Sequence, residues 1–214
     1  MGIYPLRYLA LGDSLTVGIG VPAFDSGFVE YYWCLSQQTL KRHIQYKKYA
    51  KSGATTADVL TMLSSPVVTE AVRNANIITI TAGGDDLINA AKRFIKDNNE
   101  EILSYAIEQS RKNFSKLLER IHNIEKQDQY IIRLTNLYNP FPHIPIADEG
   151  VKTFNSSIAS FAEQKNVKVA DIYSVFKGNE QVLLSRGGVH PNSEGYYQMA
   201  LAFYRLGYFQ LAPL

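Results

Sequence analysis

Residues 76–82, Asn-Ile-Ile-Thr-Ile-Thr-Ala, form a nearly unbroken β-branched run that stops at Gly83-Gly84. Such a run is β-branched and uncharged, the composition of a strand, and it ends where two glycines break it. An all-helical chain is therefore excluded. Further runs predict strands at residues 6–11, ending at Gly12-Asp13, and at 44–50, 130–137 and 167–172. Between them lie helical patterns. Residues 25–42 carry Phe28, Tyr31, Tyr32, Leu35 and Leu40 at helical spacing and end in Lys41-Arg42-His43, cations suited to a helix C-terminus.

Thr55 or Thr56 is placed to cap the next helix, and Asp85 and Asp86 fall in the acidic first turn of another. Residues 99–126 describe a long amphipathic helix with Ile102, Phe114, Leu117 and Ile121 on one face. Residues 138–150, with three prolines and two aromatics, read as a loop, followed by helices over 151–164 and 192–206. Strand and helix alternate five times. This predicts a three-layer α/β/α sandwich around a five-stranded parallel sheet, in one domain spanning 1–214.

Composition narrows the partners. With 214 residues, 46% apolar and 20% charged, the chain suits one buried core. A net charge of +2 is too small to imply a nucleic-acid partner. Cys34 is the sole cysteine, which rules out an intrachain disulfide or a multi-thiolate zinc site; within an apolar run, it is expected to be a buried thiol. His43, His122, His143 and His190 are scattered with no metal-binding spacing, so a protein-held metal is not expected. No apolar stretch approaches the ~18 residues a transmembrane helix needs. Met1 to Leu11 lacks a small-residue cleavage site, and Gly2 is not followed by Ser or Thr at position 6. The expectation is a cytoplasmic protein without leader or myristoyl group.

In parallel sheets, ligands bind beyond the C-terminal strand ends, which directs attention to residues 12–20, 51–56, 83–87, 136–150 and 187–192. Ser14, after the first strand, sits where a nucleophile would have backbone N–H groups beside it, although an isolated serine there also reads as a helix cap. His190, on a glycine-rich loop, is a candidate base; alone it reads as a surface residue. Gly18-x-Gly20 lacks the third glycine and the lysine of a phosphate loop, which leaves a phosphate- or nucleotide-binding reading without a complete fingerprint.

Taken together, four blocks resemble the SGNH hydrolases of the GDSL esterase/lipase family. Gly12-Asp13-Ser14-Leu15 resembles the nucleophile block, Ser52-Gly53 the glycine block, Gly83-Gly84-Asp85-Asp86 the third block and His190-Pro191-Asn192 the last. They follow the right strands in the right order, and the chain is most similar to small bacillus-type lipases linked to spore germination. The resemblance implies the flavodoxin-like SGNH fold and hydrolysis of a small-molecule or lipid acyl ester through an acyl-enzyme, without metal or cofactor. It makes Ser14 the nucleophile and His190 the general base, with an oxyanion hole of Ser14, Gly53 and Asp85.

Two positions depart from the family pattern. Asp85 stands where the oxyanion-hole asparagine is usual, and Gly187 stands where an aspartate usually precedes the histidine by three residues. An ionised Asp85 has no proton to donate and repels a developing oxyanion. Without a carboxylate at 187, His190 loses the group that fixes its tautomer and stabilises its imidazolium. Low activity at neutral pH is expected, and a decayed fold that binds a ligand or partner without turnover is the competing reading. Asp13 is expected to be a structural turn residue, and Asp171 a second candidate to orient His190. Tyr138 and Phe141 are candidates for an acyl pocket, and Lys41, Arg42, Lys47, Lys48 and Lys51 read as a solvated face.

Overall fold

The computed structural model describes residues 5–99 and 101–211; the expectations made for residues 1–4 lie outside them. In chain order the elements are β1 (Leu6–Gly12), α1 (Ser14–Val17), α2 (Phe28–Leu40), β2 (Ile44–Ala50), α3 (Thr56–Met62) and α4 (Pro66–Asn74). Then follow β3 (Ile77–Thr81), α5 (Gly84–Asp97), α6 (Glu101–Asn123), β4 (Ile131–Thr135) and α7 (Pro145–Ala159), the last running into a 3-10 turn at Ser160–Glu163. The chain closes with β5 (Val167–Ala170), α8 (Ile172–Phe176), α9 (Glu180–Leu183) and α10 (Ser193–Arg205).

All five strands are parallel, in the order β2-β1-β3-β4-β5. The pleat sends alternate residues to opposite faces. Leu9, Leu11, Ile78 and Ile80 join one core with Val59, Leu118 and Phe154, under α3 to α7. Leu6, Tyr8, Ala10 and Ile77 join the other with Phe28, Tyr196 and Phe203, under α2 and α10. The three-layer sandwich is thus present. β3 and β4 are buried along their whole length, as their composition requires, whereas β2 is the sheet edge and leaves Lys47 and Lys48 in solvent.

Three sequence expectations are corrected. Cys34 is exposed: the inward stripe of α2 is Phe28, Val29, Tyr32, Ser36 and Leu40, and position 34 lies off it. The segment expected as loop through 150 turns helical at Pro145, which occupies the first turn of α7, where a missing N–H has no cost. The stretch expected as loop before His190 holds the short helices α8 and α9.

The chain steps from β1 out to β2 and back across to β3, so the order reverses between β1 and β3. Loops leaving adjacent strands in opposite directions open a crevice there. Ser14 follows one of these strands and Asp85 the other.

Candidate active site

The β1–α1 turn sets Ser14. Asp13 is the N-cap of α1; its Oδ1 accepts the Leu15 N–H at 3.0 Å and the Thr81 hydroxyl at 2.7 Å. Thr16 and Thr81 are hydrogen-bonded at 2.8 Å, which joins α1 to the end of β3. Asp13 is therefore a structural residue, as expected. Burial pushes its carboxyl up to about 6, against the hydrogen bonds from Thr81 and Leu15 that favour the charged form.

The sign for stability follows from the folded value lying above the ordinary 3.8. The stability this group contributes is complete below about pH 4 and is lost as pH rises through about 6. The loss by pH 7.5 is on the order of 2–3 kcal/mol. Because both hydrogen bonds go to one oxygen, Asp13→Asn keeps them and removes the charge. Thermal melts from pH 4 to 7.5 are expected to show a flatter pH dependence in the variant; an identical slope contradicts this role for Asp13.

His190 is held from several sides. Its carbonyl accepts the Ser185 N–H at 2.8 Å, and Tyr138 donates its hydroxyl to the Val189 carbonyl at 2.6 Å. Asn192 caps α10 by accepting the Gly195 N–H, and Tyr196 of that helix donates to the Ile19 carbonyl at 2.6 Å. The loop after α1 must pass close by. Gly20 has φ +110°, and a Cβ there would collide with the Pro191 carbonyl and stand 2.9 Å from the His190 Cβ. Ser14 Oγ and His190 Nε2, 176 residues apart in sequence, come within 2.9 Å of each other.

Asp85 lies half-buried in the first turn of α5. Gly83 before it has φ +110° with the Phe154 ring packed where a Cβ would be, so the turn is open only to glycine. Burial raises the Asp85 carboxyl, Asp86 raises it further, and His190 pulls it back. Burial lowers the His190 imidazole, and Asp85 opposes that shift. The two groups sense each other's charge. Asp86 instead faces Thr56, accepting its N–H and its hydroxyl, both at 2.8 Å. This pair locks α5 to α3 and so fixes the exposed Gly53 turn relative to Asp85. The place of Asp86 in the acidic first turn and in the third block does not reveal this pairing with Thr56, which lies 30 residues away in the chain.

Other expectations are corrected. Asp171 caps α8 through Ser174 and accepts from Asn136, so its oxygens are committed away from His190. Tyr138, a candidate for an acyl pocket, is buried and stacked on Phe176 with ring centres 4.3 Å apart, a strut under the Val189 carbonyl. Phe141 is exposed. Among the described residues the Ser14 contact is the one hydrogen bond to the His190 ring, no group of three or more side chains could hold a metal, and no helix is long and apolar enough to cross a membrane.

The GDSL-like lipase/acylhydrolase family model matches residues 10–198. The chain is 41% identical over 208 residues to the spore germination lipase LipC of Bacillus licheniformis, covering 96% of this chain and 98% of that protein. It is likewise 41% identical to the crystal structure of the lipase Lip_vut3 from a goat rumen metagenome, with a TM-score of 0.93 over 96% of this chain and 99% of that one. The acetylxylan esterase Axe2 of Geobacillus stearothermophilus, at 19% identity and a TM-score of 0.74 over 100% and 99% of the two chains, shares the fold. The reversal point between β1 and β3, the Ser14–His190 pair and these matches agree: the chain belongs to the GDSL-like lipase/acylhydrolase family of carboxylic ester hydrolases.

Proposed function

We propose that this chain cleaves carboxylic esters through an acyl-enzyme on Ser14. The observation that carries the reading is the 2.9 Å contact between His190 Nε2 and Ser14 Oγ. His190 takes the Ser14 proton as the oxygen attacks the ester carbonyl, then returns it to the departing alcohol. Water attacks the acyl-enzyme in the reverse sense, with His190 again as base, and releases the carboxylic acid. The oxyanion draws on the N–H groups of Ser14 and Gly53, with Asp85 at the third position. As the first residue of α1, Ser14 has an N–H with no intrahelical acceptor.

Asp85 can donate only while protonated, and burial favours that form. His190 can accept only while neutral, and burial favours that too. The active state therefore holds one proton on Asp85 and none on the base. That state competes with the ion pair of equal proton count, so activity is low and its optimum lies below neutrality.

A fluorophosphonate probe followed by intact-protein mass measurement tests the nucleophile. One covalent adduct is expected on the protein and none on Ser14→Ala. An unmodified protein would favour the decayed, ligand-binding reading that Asp85 and Gly187 also motivate.

A further inference from the structure

The two helices that flank the His190 loop are joined by one side chain. α9 is four residues long, with Gln181 and Val182 exposed and Leu183 buried. A helix this short does not persist on its own hydrogen bonds, so its place depends on what grips its end. The carbonyls of its last turn have no N–H within the helix to accept from. Three consecutive ones, on Val182, Leu183 and Leu184, all accept from Asn192. Asn192 Nδ2 donates to Val182 at 2.7 Å and to Leu184 at 3.2 Å, and the Asn192 backbone N–H donates to Leu183 at 2.9 Å. Asn192 Oδ1 accepts the Gly195 N–H at 2.9 Å, so the amide is used at both ends and has one orientation. The same side chain thus closes the C-terminus of α9 and the N-terminus of α10.

This grip reaches His190 through the backbone. Leu184 and Pro191 form an antiparallel bridge, bounded by the Asn192 N–H on the Leu183 carbonyl and the Ser185 N–H on the His190 carbonyl. His190 therefore stands at the base of a small hairpin whose tip is residues 186–189. The tip holds Gly187 and Gly188, both exposed, and two glycines give it little stiffness. The His190 ring has Ser14 as its one hydrogen-bond partner among the described residues. Its aim is accordingly set by the backbone beneath it, and the base of the hairpin is the part that Asn192 fixes. Packing there is close: a Cβ on Gly195 would collide with the Leu183 carbonyl and stand 2.9 Å from the Pro191 Cβ.

Resting on the serine-esterase reading, we propose that Asn192 is a positioning residue for the reaction. Its amide fastens α9 to the base of the His190 hairpin and so keeps His190 Nε2 within proton-transfer distance of Ser14 Oγ.

Two substitutions separate this role from that of a helix cap. Asn192→Ser keeps an oxygen for the Gly195 N–H, because serine caps as well as asparagine, and removes both side-chain donations to α9. Asn192→Ala removes the cap as well. With 4-nitrophenyl butyrate, kcat is expected to fall about tenfold or more in both variants while KM stays within about twofold, the mark of a misplaced base. The melting temperature is expected to fall further in Asn192→Ala than in Asn192→Ser. Full kcat in Asn192→Ser, with a loss confined to Asn192→Ala, makes Asn192 a cap alone and overturns the proposal.

The ring 15N shifts of His190 give a readout that needs no turnover. Ser14→Ala defines the shifts of a ring without its serine partner, and those of Asn192→Ser are expected to move toward them. Such movement supports the positioning role even where no ester is cleaved, in which case the catalytic reading alone fails. Ring shifts that stay at the values of the unsubstituted protein overturn the positioning role even where the ester is cleaved.

Discussion

Asp85→Asn is expected to raise the rate of aryl-ester hydrolysis at pH 7.5 by about 10²-fold, the order of effect of one oxyanion-hole donor. The carboxyl sits half-buried in the first turn of α5, and its ordinary value is raised by burial and by Asp86. Even so, ionisation removes its proton as pH rises, and the charged form then faces an oxyanion of the same sign. Asparagine keeps the size and the turn geometry and donates N–H at every pH. The shape of the profile should change as well. The protein itself needs His190 neutral and Asp85 protonated, which gives a rise and then a fall with pH. In Asp85→Asn the alkaline fall disappears, leaving a single rise set by His190. An unchanged neutral rate with the fall still present contradicts the oxyanion role of Asp85.

Gly187→Asp carries the second large effect, a gain of about 10²-fold in kcat. The corresponding aspartate in a serine triad is worth on the order of 10⁴-fold when removed, and a grafted one has imperfect aim. The position can accept a side chain. Gly187 is absent from the glycines with positive φ, and a Cβ there meets only Ser185 Oγ, at 3.9 Å. The Ser185–His190 turn is already closed by the Ser185 N–H on the His190 carbonyl. A carboxylate at this site would stabilise the imidazolium and raise the pKa of His190, moving the acid limb of the profile to higher pH. An increase in kcat together with that shift supports the account. A changed limb with no gain in rate would mean that orientation of the ring does not limit turnover. Because both substitutions act on one reacting cluster, their effects are not expected to add.

Much of this architecture was legible because strands buried on both faces leave a compositional mark. The β-branched run before Gly83 gave β3 within a residue at either end. β2, with Lys47 and Lys48, had the right extent, but the order that makes it an edge depends on pairing between distant segments. Cys34 departs from its expected burial because a helix buries only the residues on its inward phase, which the spacing of Phe28, Tyr32 and Ser36 marks. The helix from Pro145 was missed because three nearby prolines suggest a loop, although proline favours a first helical turn.

At the site, Ser14 and His190 could be named from their blocks. The groups that hold them could not. Tyr138 under the Val189 carbonyl, Asp86 on Thr56 and Thr81 on Asp13 are contacts between segments 30 to 68 residues apart, created by folding. Each involves a residue type that sequence alone assigns to core, cap or turn.

The measurement that bears most directly on the central claim is the rate of short-chain aryl-ester hydrolysis from about pH 4 to 9, with Ser14→Ala as the blank. The account predicts turnover that depends on Ser14 and peaks below neutrality, where His190 is neutral and Asp85 still holds its proton. Rates equal to the blank at every pH would contradict it.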